Sequence, residues 1–229
     1  MQRRNLSKSQ YFQDLSLASR SILSTVSWRE RFFVFGTLVL FCAFLFPGVF
    51  LRGEVLGPAD LSFCYRPWSD HNPQQVRPGY YNLSDQFDEI MPTLAHQMDR
   101  LAQGDIPNYT DKIQNGSPMF WVIRHEAKML PLIGLSLLFG FPVAWTIFLI
   151  GRLLVGGLFF HLYLRRNGVS TAGALIASMT FCFSSYVIQN FGITMVSQYF
   201  LIPIILYAID VLLERRSVLW GAAFPVLVN

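Results

Sequence analysis

The chain has 229 residues, 52% of them apolar and only 14% charged, well under the roughly 25% charged side chains of a soluble domain. Its formal charge of +4 comes from basic residues gathered at the ends of apolar runs, where membrane topology accounts for them, so the charge gives no reason to invoke a nucleic-acid partner. Three cysteines, two of them inside apolar runs, make no disulfide framework, and the absence of C-x-x-C, H-E-x-x-H, P-loop and G-x-G-x-x-G patterns removes most support for soluble catalytic classes.

Residues 1–31 carry Arg3, Arg4, Lys8, Arg20, Arg29 and Arg31 against Asp14 and Glu30. By the positive-inside tendency this segment is cytoplasmic, with Leu15, Leu17, Ile22 and Leu23 offering a short interfacial helix. The uncharged run 32–51 is twenty residues long, about 30 Å as a helix and so the thickness of the hydrocarbon core. It is the first transmembrane helix. No A-x-A cleavage site follows Arg52, so it is read as retained.

Residues 52–128 hold ten carboxylates and seven basic side chains and form one long extracytoplasmic loop. Within it Phe87, Ile90, Met91, Leu94, Met98 and Leu101 recur at helical spacing, which predicts an amphipathic surface helix over 84–104. Ser84 suits its N-cap, Asp85 its positive end and Gly104 its stop, while Pro92 kinks or divides it. Asp85, Asp88 and Glu89 share one face of that helix. Grouped carboxylates beside a bilayer raise one another's pKa, bind a divalent cation or take a proton from an acceptor hydroxyl; equally, acids in a first turn are favoured by the helix dipole alone.

Residues 129–229 form the membrane domain. Residues 129–140 are too short to cross and are expected to be re-entrant or interfacial; the spans follow at 141–164, 170–188 and 199–213. Arg165-Arg166 and Arg215-Arg216 mark the inner turns. A further apolar run starts at Ser217 and stops after thirteen residues, which reads as the start of another span in a longer protein. Arg152 falls near the middle of the span 141–164, where a bare guanidinium costs several kcal/mol, so it needs a partner. A carbonyl, Asp210 or a lipid phosphate would each serve. His161 reads as a packing residue. Arg124 and His125, at the foot of the loop, are placed to meet a lipid phosphate or simply to snorkel.

Read in order, Asn82-Leu83-Ser84-Asp85, Pro92, Leu101-Ala102-Gln103-Gly104-Asp105-Ile106-Pro107-Asn108-Tyr109, Gly116-Ser117-Pro118 and Leu130-Pro131-Leu132 resemble the first outer loop of YfhO-like bacterial membrane proteins. Those proteins belong to the GT-C superfamily of polytopic glycosyltransferases. Leu164-Arg165-Arg166-Asn167-Gly168 is similar to the family's turn between spans, and residues 172–185 to its small-residue helix. The stretch 84–105 also looks like the D-E-x-x-Y-A-x-x-A-x-x-M-x-x-x-G-D segment of lipid-linked aminosugar transferases.

The resemblance implies an all-α polytopic protein of the bacterial cytoplasmic membrane that moves a sugar from a polyprenyl-phosphate carrier at the outer face. It puts Asp85 first as base or metal-associated carboxylate, Asp60 in Gly57-Pro58-Ala59-Asp60-Leu61 second, and Asp88 beside them, with Arg124, His125 and Arg152 toward substrate. No resident cofactor follows beyond a divalent cation that such carboxylates could hold. Asn108-Tyr109-Thr110 departs from the family's W-N-P element, and Arg152 stands where relatives carry His. These departures keep open a second reading, a non-catalytic scaffold among other membrane subunits. A transporter ranks third, since no internal repeat is visible.

Overall fold

The structure, a computed structural model, describes residues 26–71, 85–105, 109–110, 116–118, 130–193 and 196–215. The expected interfacial helix before the first span, Ser84, Arg124, His125 and the final apolar run lie outside the described residues. What is described is mostly helical. Two helices are long and apolar enough to cross a membrane, Phe141–Arg166 and Thr171–Gln189, the second with an interruption.

Helix α1, Trp28–Leu45, starts at the N-cap Ser27, whose hydroxyl accepts from the Glu30 amide at 3.2 Å. It buries Val34, Leu38 and Cys42, one turn apart, and exposes Phe32, Phe33, Leu40 and Phe44. The run 32–51 is not one helix. It breaks at Phe46 (φ −120°, ψ 57°), because the residue before a proline is pushed out of the helical region, and Pro47 then opens the short helix α2, Pro47–Arg52.

The loop segment consists of a 3₁₀ turn, Ala59–Cys64, a second one, Trp68–His71, and a π turn, Gln86–Ile90, that runs directly into helix α3, Met91–Ala102. Pro92 sits in the first turn of α3, immediately after the π turn, so it stands where the winding changes from π to α. Helix α3 ends in a Schellman motif. The Asp105 amide donates to the Arg100 carbonyl at 2.9 Å and that of Gly104 to Leu101 at 3.0 Å, with Gly104 at φ 78°. The predicted stripe faces inward: Leu94 and Met98 are buried in the core, and Ile90, Met91 and Leu101 pack against it. A two-residue ribbon joins β1, Tyr109–Thr110, to β2, Ser117–Pro118.

Helices α4, Leu130–Phe139, and α5, Phe141–Arg166, meet at Gly140, whose φ of 76° turns the chain back so that the two pack together. Helix α5 is the post of the fold: α1, α4, α6 (Thr171–Cys182) and α8 (Val196–Arg215) all pack on it. Close approach depends on two glycines. A Cβ at Gly156 would lie 2.6 Å from the Phe200 ring, and one at Gly157 would lie 2.7 Å from the Cys182 sulfur and 3.1 Å from Leu38. The predicted span 170–188 breaks into α6 and the short α7, Ser185–Gln189. At the other end of α5 a second Schellman motif closes Leu164-Arg165-Arg166-Asn167-Gly168, with Val169 donating to Leu164 at 3.1 Å and Gly168 to Arg165 at 3.2 Å.

Candidate functional site

The loop segment is tied to the loop end of the bundle. The Leu56 amide donates to Thr146 Oγ1 on α5 at 2.9 Å, and Thr146 itself donates to the Pro142 carbonyl at 3.1 Å. This strap seats the 3₁₀ turn Ala59–Cys64 and the π turn over α5 and α7. Between them lies a cavity of about 270 Å³. Asp60 and Leu61 come from the 3₁₀ turn, Gln86 from the π turn, Trp145 and Leu149 from α5, and Ile188, Gln189, Phe191 and Gly192 close the far side.

The lining is chiefly apolar, with three polar side chains, Asp60, Gln86 and the exposed Gln189. Asp60 is half-buried and already has an interaction of its own within the chain. Gln86 is 3% exposed, yet its Oε1 has no hydrogen-bond partner among the described residues. A buried amide oxygen left unpaired costs roughly 1–3 kcal/mol, and this one is closed off from the cavity that other atoms of Gln86 line. Among the described lining residues there is no lysine, arginine or histidine.

The carboxylates singled out from sequence separate. Asp60 lines the cavity. Asp85, one residue before Gln86, is exposed and is not part of the lining. Asp88 is also exposed and accepts a hydrogen bond from the Tyr65 hydroxyl at 3.0 Å, while the Tyr65 ring stacks on Phe87. That bond and the charge of Asp88 hold the Tyr65 hydroxyl above its ordinary pKa of 10.0. Asp60, Asp85 and Asp88 therefore stand in three different settings. Among the described residues no three His, Cys, Asp or Glu side chains converge as a donor set for a cation, and no step below uses one.

Arg152 is 8% exposed and is spoken for. Its guanidinium donates to the Phe191 carbonyl, to the Ile193 carbonyl at 3.1 Å and to Ser197 Oγ at 3.0 Å, and lies over the Phe191 and Phe200 rings. Of the partners considered from sequence, the carbonyls are the ones found. Asp210 instead accepts from Asn167 Nδ2 at 3.3 Å. Nor is Arg152 at the middle of its neighbours: α8 begins beside it, and α6 ends at the height of Leu153, whose carbonyl accepts from Cys182 Sγ at 3.3 Å. The guanidinium thus caps carbonyls at the loop end of the bundle. By fixing Phe191 it shapes one wall of the cavity.

A second polar cluster lies at the opposite, arginine-bearing end. Glu30 Oε1 accepts from Arg165 Nε at 2.7 Å and Thr171 Oγ1 at 3.2 Å and faces His161 Nε2 at 3.1 Å. Because a carboxylate only accepts, Nε2 must carry the imidazole proton, which leaves His161 Nδ1 buried without a partner. His161 is therefore part of a hydrogen-bonded network and does more than fill space. Sequence reading missed this cluster and Gln86; the one available signal for the first was Glu30, a lone acid among arginines before an apolar run.

Within the loop, Arg100 pairs with Asp105 and donates to the Tyr109 carbonyl at 2.6 Å, and His96 Nε2 lies 3.2 Å from Thr110 Oγ1. Compared with known proteins, the chain matches no family model, no curated protein and no solved structure.

Proposed function

We propose that the chain is a GT-C-type protein of the bacterial cytoplasmic membrane, N-terminus inside, that transfers a sugar from a polyprenyl-phosphate carrier to an acceptor hydroxyl at the loop end of its bundle. The observation that carries this reading is the cavity itself. The carboxyl-bearing Asp60 stands with Gln86 and Gln189 in the lining of an otherwise apolar space between residues 56–61 and helices α5 and α7. An amphiphilic substrate needs that combination, and the loop's resemblance to YfhO-like proteins supplies the reaction class.

In this reading Asp60, and not Asp85, takes the acceptor's proton as the acceptor oxygen bonds to the sugar's anomeric carbon. The bond from that carbon to the carrier phosphate oxygen breaks, and polyprenyl phosphate leaves with the electron pair. General-base assistance of this kind contributes on the order of a hundredfold or more. Arg124 and His125 remain the sequence's candidates for the carrier phosphate, since Arg152 is engaged with protein acceptors.

Turnover of a polyprenyl-phosphate sugar by the full-length protein and by Asp60→Asn and Asp85→Asn tests it. Asp60→Asn should lose at least a hundredfold and Asp85→Asn little. The reverse order would return the role to Asp85. A folded full-length protein, with its partners, that turns over nothing would favour the scaffold reading, to which the exposed Tyr109 in place of the family's W-N-P tryptophan already lends weight.

A further inference from the structure

We propose that the outward stripe of α1 binds an anionic phospholipid, whose phosphate meets the Arg29 guanidinium beside Trp28 and whose acyl chain lies along Phe33, Gly36 and Leu40. This rests on the membrane placement proposed above and not on the transfer reaction. Arg29, Phe33, Gly36, Leu40 and Phe44 follow at spacings of three and four, on the face of α1 opposite the buried Val34, Leu38 and Cys42. Phe33 and Leu40 are exposed, and Gly36 leaves a gap between them, since a Cβ there would meet none of their atoms within 4 Å. Trp28, 71% exposed, stands at the head of this face, and an indole favours the membrane–water boundary.

Charge selects the head group. Arg29 and Arg31 flank Trp28 on the helix, and among the described residues neither has an ion-pair partner. Arg31 lies over the Trp28 ring at 5.0 Å, a contact that leaves its charge in place. The described acids at this end are committed, Glu30 to Arg165 and Thr171, and Asp210 to Asn167. Residues 1–25 bring Arg3, Arg4, Lys8 and Arg20 against Asp14, more charge of the same sign. The counter-charge therefore comes from outside the chain, and a basic cluster at the end of an apolar helix finds it in an anionic leaflet. Arginine suits a phosphate, which it holds through two parallel N–H donors, whereas a zwitterionic head would bring its own cation up against Arg29 and Arg31.

The test uses the full-length protein in phosphatidylcholine nanodiscs doped with equal mole fractions of phosphatidylglycerol or phosphatidylcholine brominated on the acyl chains. Bromine quenches tryptophan on contact, and the difference between the parent and Trp28→Phe isolates the quenching at Trp28. Brominated phosphatidylglycerol should occupy the site about tenfold more readily than brominated phosphatidylcholine. Arg29 is exposed, so its replacement leaves the packing of α1 intact. Arg29→Gln should cut the ratio roughly fivefold, the share of one arginine near a membrane surface, and Arg29→Lys should keep most of it. Inorganic phosphate, exchanged for chloride at constant ionic strength, should leave the ratio unchanged. Equal quenching by the two lipids, a ratio untouched by Arg29→Gln, or one abolished by inorganic phosphate would each overturn the proposal. Quenching by neither lipid would overturn it together with the membrane placement of α1. A lipid preference that persists in a protein with no transferase turnover would remove the transfer reading alone.

Discussion

The Nε of Arg165 lies 2.7 Å from Glu30 Oε1, a bond that crosses 135 residues and fastens the end of α5 to the start of α1. Thr171 adds α6 to the same carboxylate, so three helices share one oxygen atom. Glu30 is just outside the uncharged run 32–51, at 12% side-chain exposure. Burial by itself raises its pKa; the hydrogen bonds from His161, Arg165 and Thr171 and the charge of Arg165 outweigh that and hold it below 4.5.

A group with a depressed folded-state pKa contributes stability that is present above its unfolded pKa and lost as pH falls through the folded one. The thermal midpoint should therefore drop as pH is lowered below about 4.5, in the window set by Glu30. Glu30→Gln should cost on the order of 2 kcal/mol at neutral pH and flatten that part of the profile. An acid limb equally steep in the variant would assign it to other carboxylates.

Arg152 predicts a different failure. Arg152→Met keeps length and apolar contact but leaves the Phe191 and Ile193 carbonyls without their donor, a loss of roughly 1–3 kcal/mol. Arg152→Lys should recover less than half, since one ammonium cannot reproduce the fork to three acceptors. Thermal unfolding in detergent gives the first quantity, and limited proteolysis beside Phe191 and Ile193 shows whether that backbone has come loose. A variant as stable and as resistant as the parent would show that the carbonyls find other donors.

Gly157 tests the packing of the post. A side chain there meets the Cys182 sulfur and Leu38 at once, so Gly157→Ala should lower stability by about 1–3 kcal/mol through overpacking. Gly151, with open space around its missing Cβ, is the internal control, and Gly151→Ala should be neutral or slightly stabilising in a helix. Equal midpoints for the two variants would mean that α1 and α6 shift freely on α5.

Topology is the last expectation. Cysteines at Arg165 and at Asp105, introduced one at a time beside the native thiols Cys42, Cys64 and Cys182 mutated to serine, should label from opposite faces of the membrane. Labelling of both from one side would invert or collapse the proposed arrangement.

How much of this was legible in the sequence follows from which signals are local. The stripe of α3, its Gly104 stop and the Asn167-Gly168 turn are set by spacing and by the freedom of glycine to take positive φ, and they were readable as they stand. The break at Phe46 was half readable: Pro47 marks the end of the first run, but not that the helix resumes beyond it. Gln86 was not readable at all. A glutamine among Asp85, Asp88 and Glu89 looks like one more solvated side chain, and only the folding of residues 56–61 over α5 turns it inward. The resemblance that puts Asp85 ahead of Asp60 works from order along the chain, which carries no information on which acid a distant strap brings to the cavity.

The interruptions of α1 at Phe46 and of α6 at Phe183 are each held by a ring contact across the bundle, Phe46 stacked on Phe191 at 5.1 Å and Phe183 packed on Phe41 at 4.5 Å. Phe46 and Phe183 both leave helical geometry, whereas α5 runs from Phe141 to Arg166 without a break. Helix α5 is therefore the continuous element against which both breaks are set. A tilt of the loop end would be absorbed by dihedral changes at Phe46 and at Phe183-Ser184, and it would widen or narrow the gap between Gln86 and Ile188 while the lower helices stay packed.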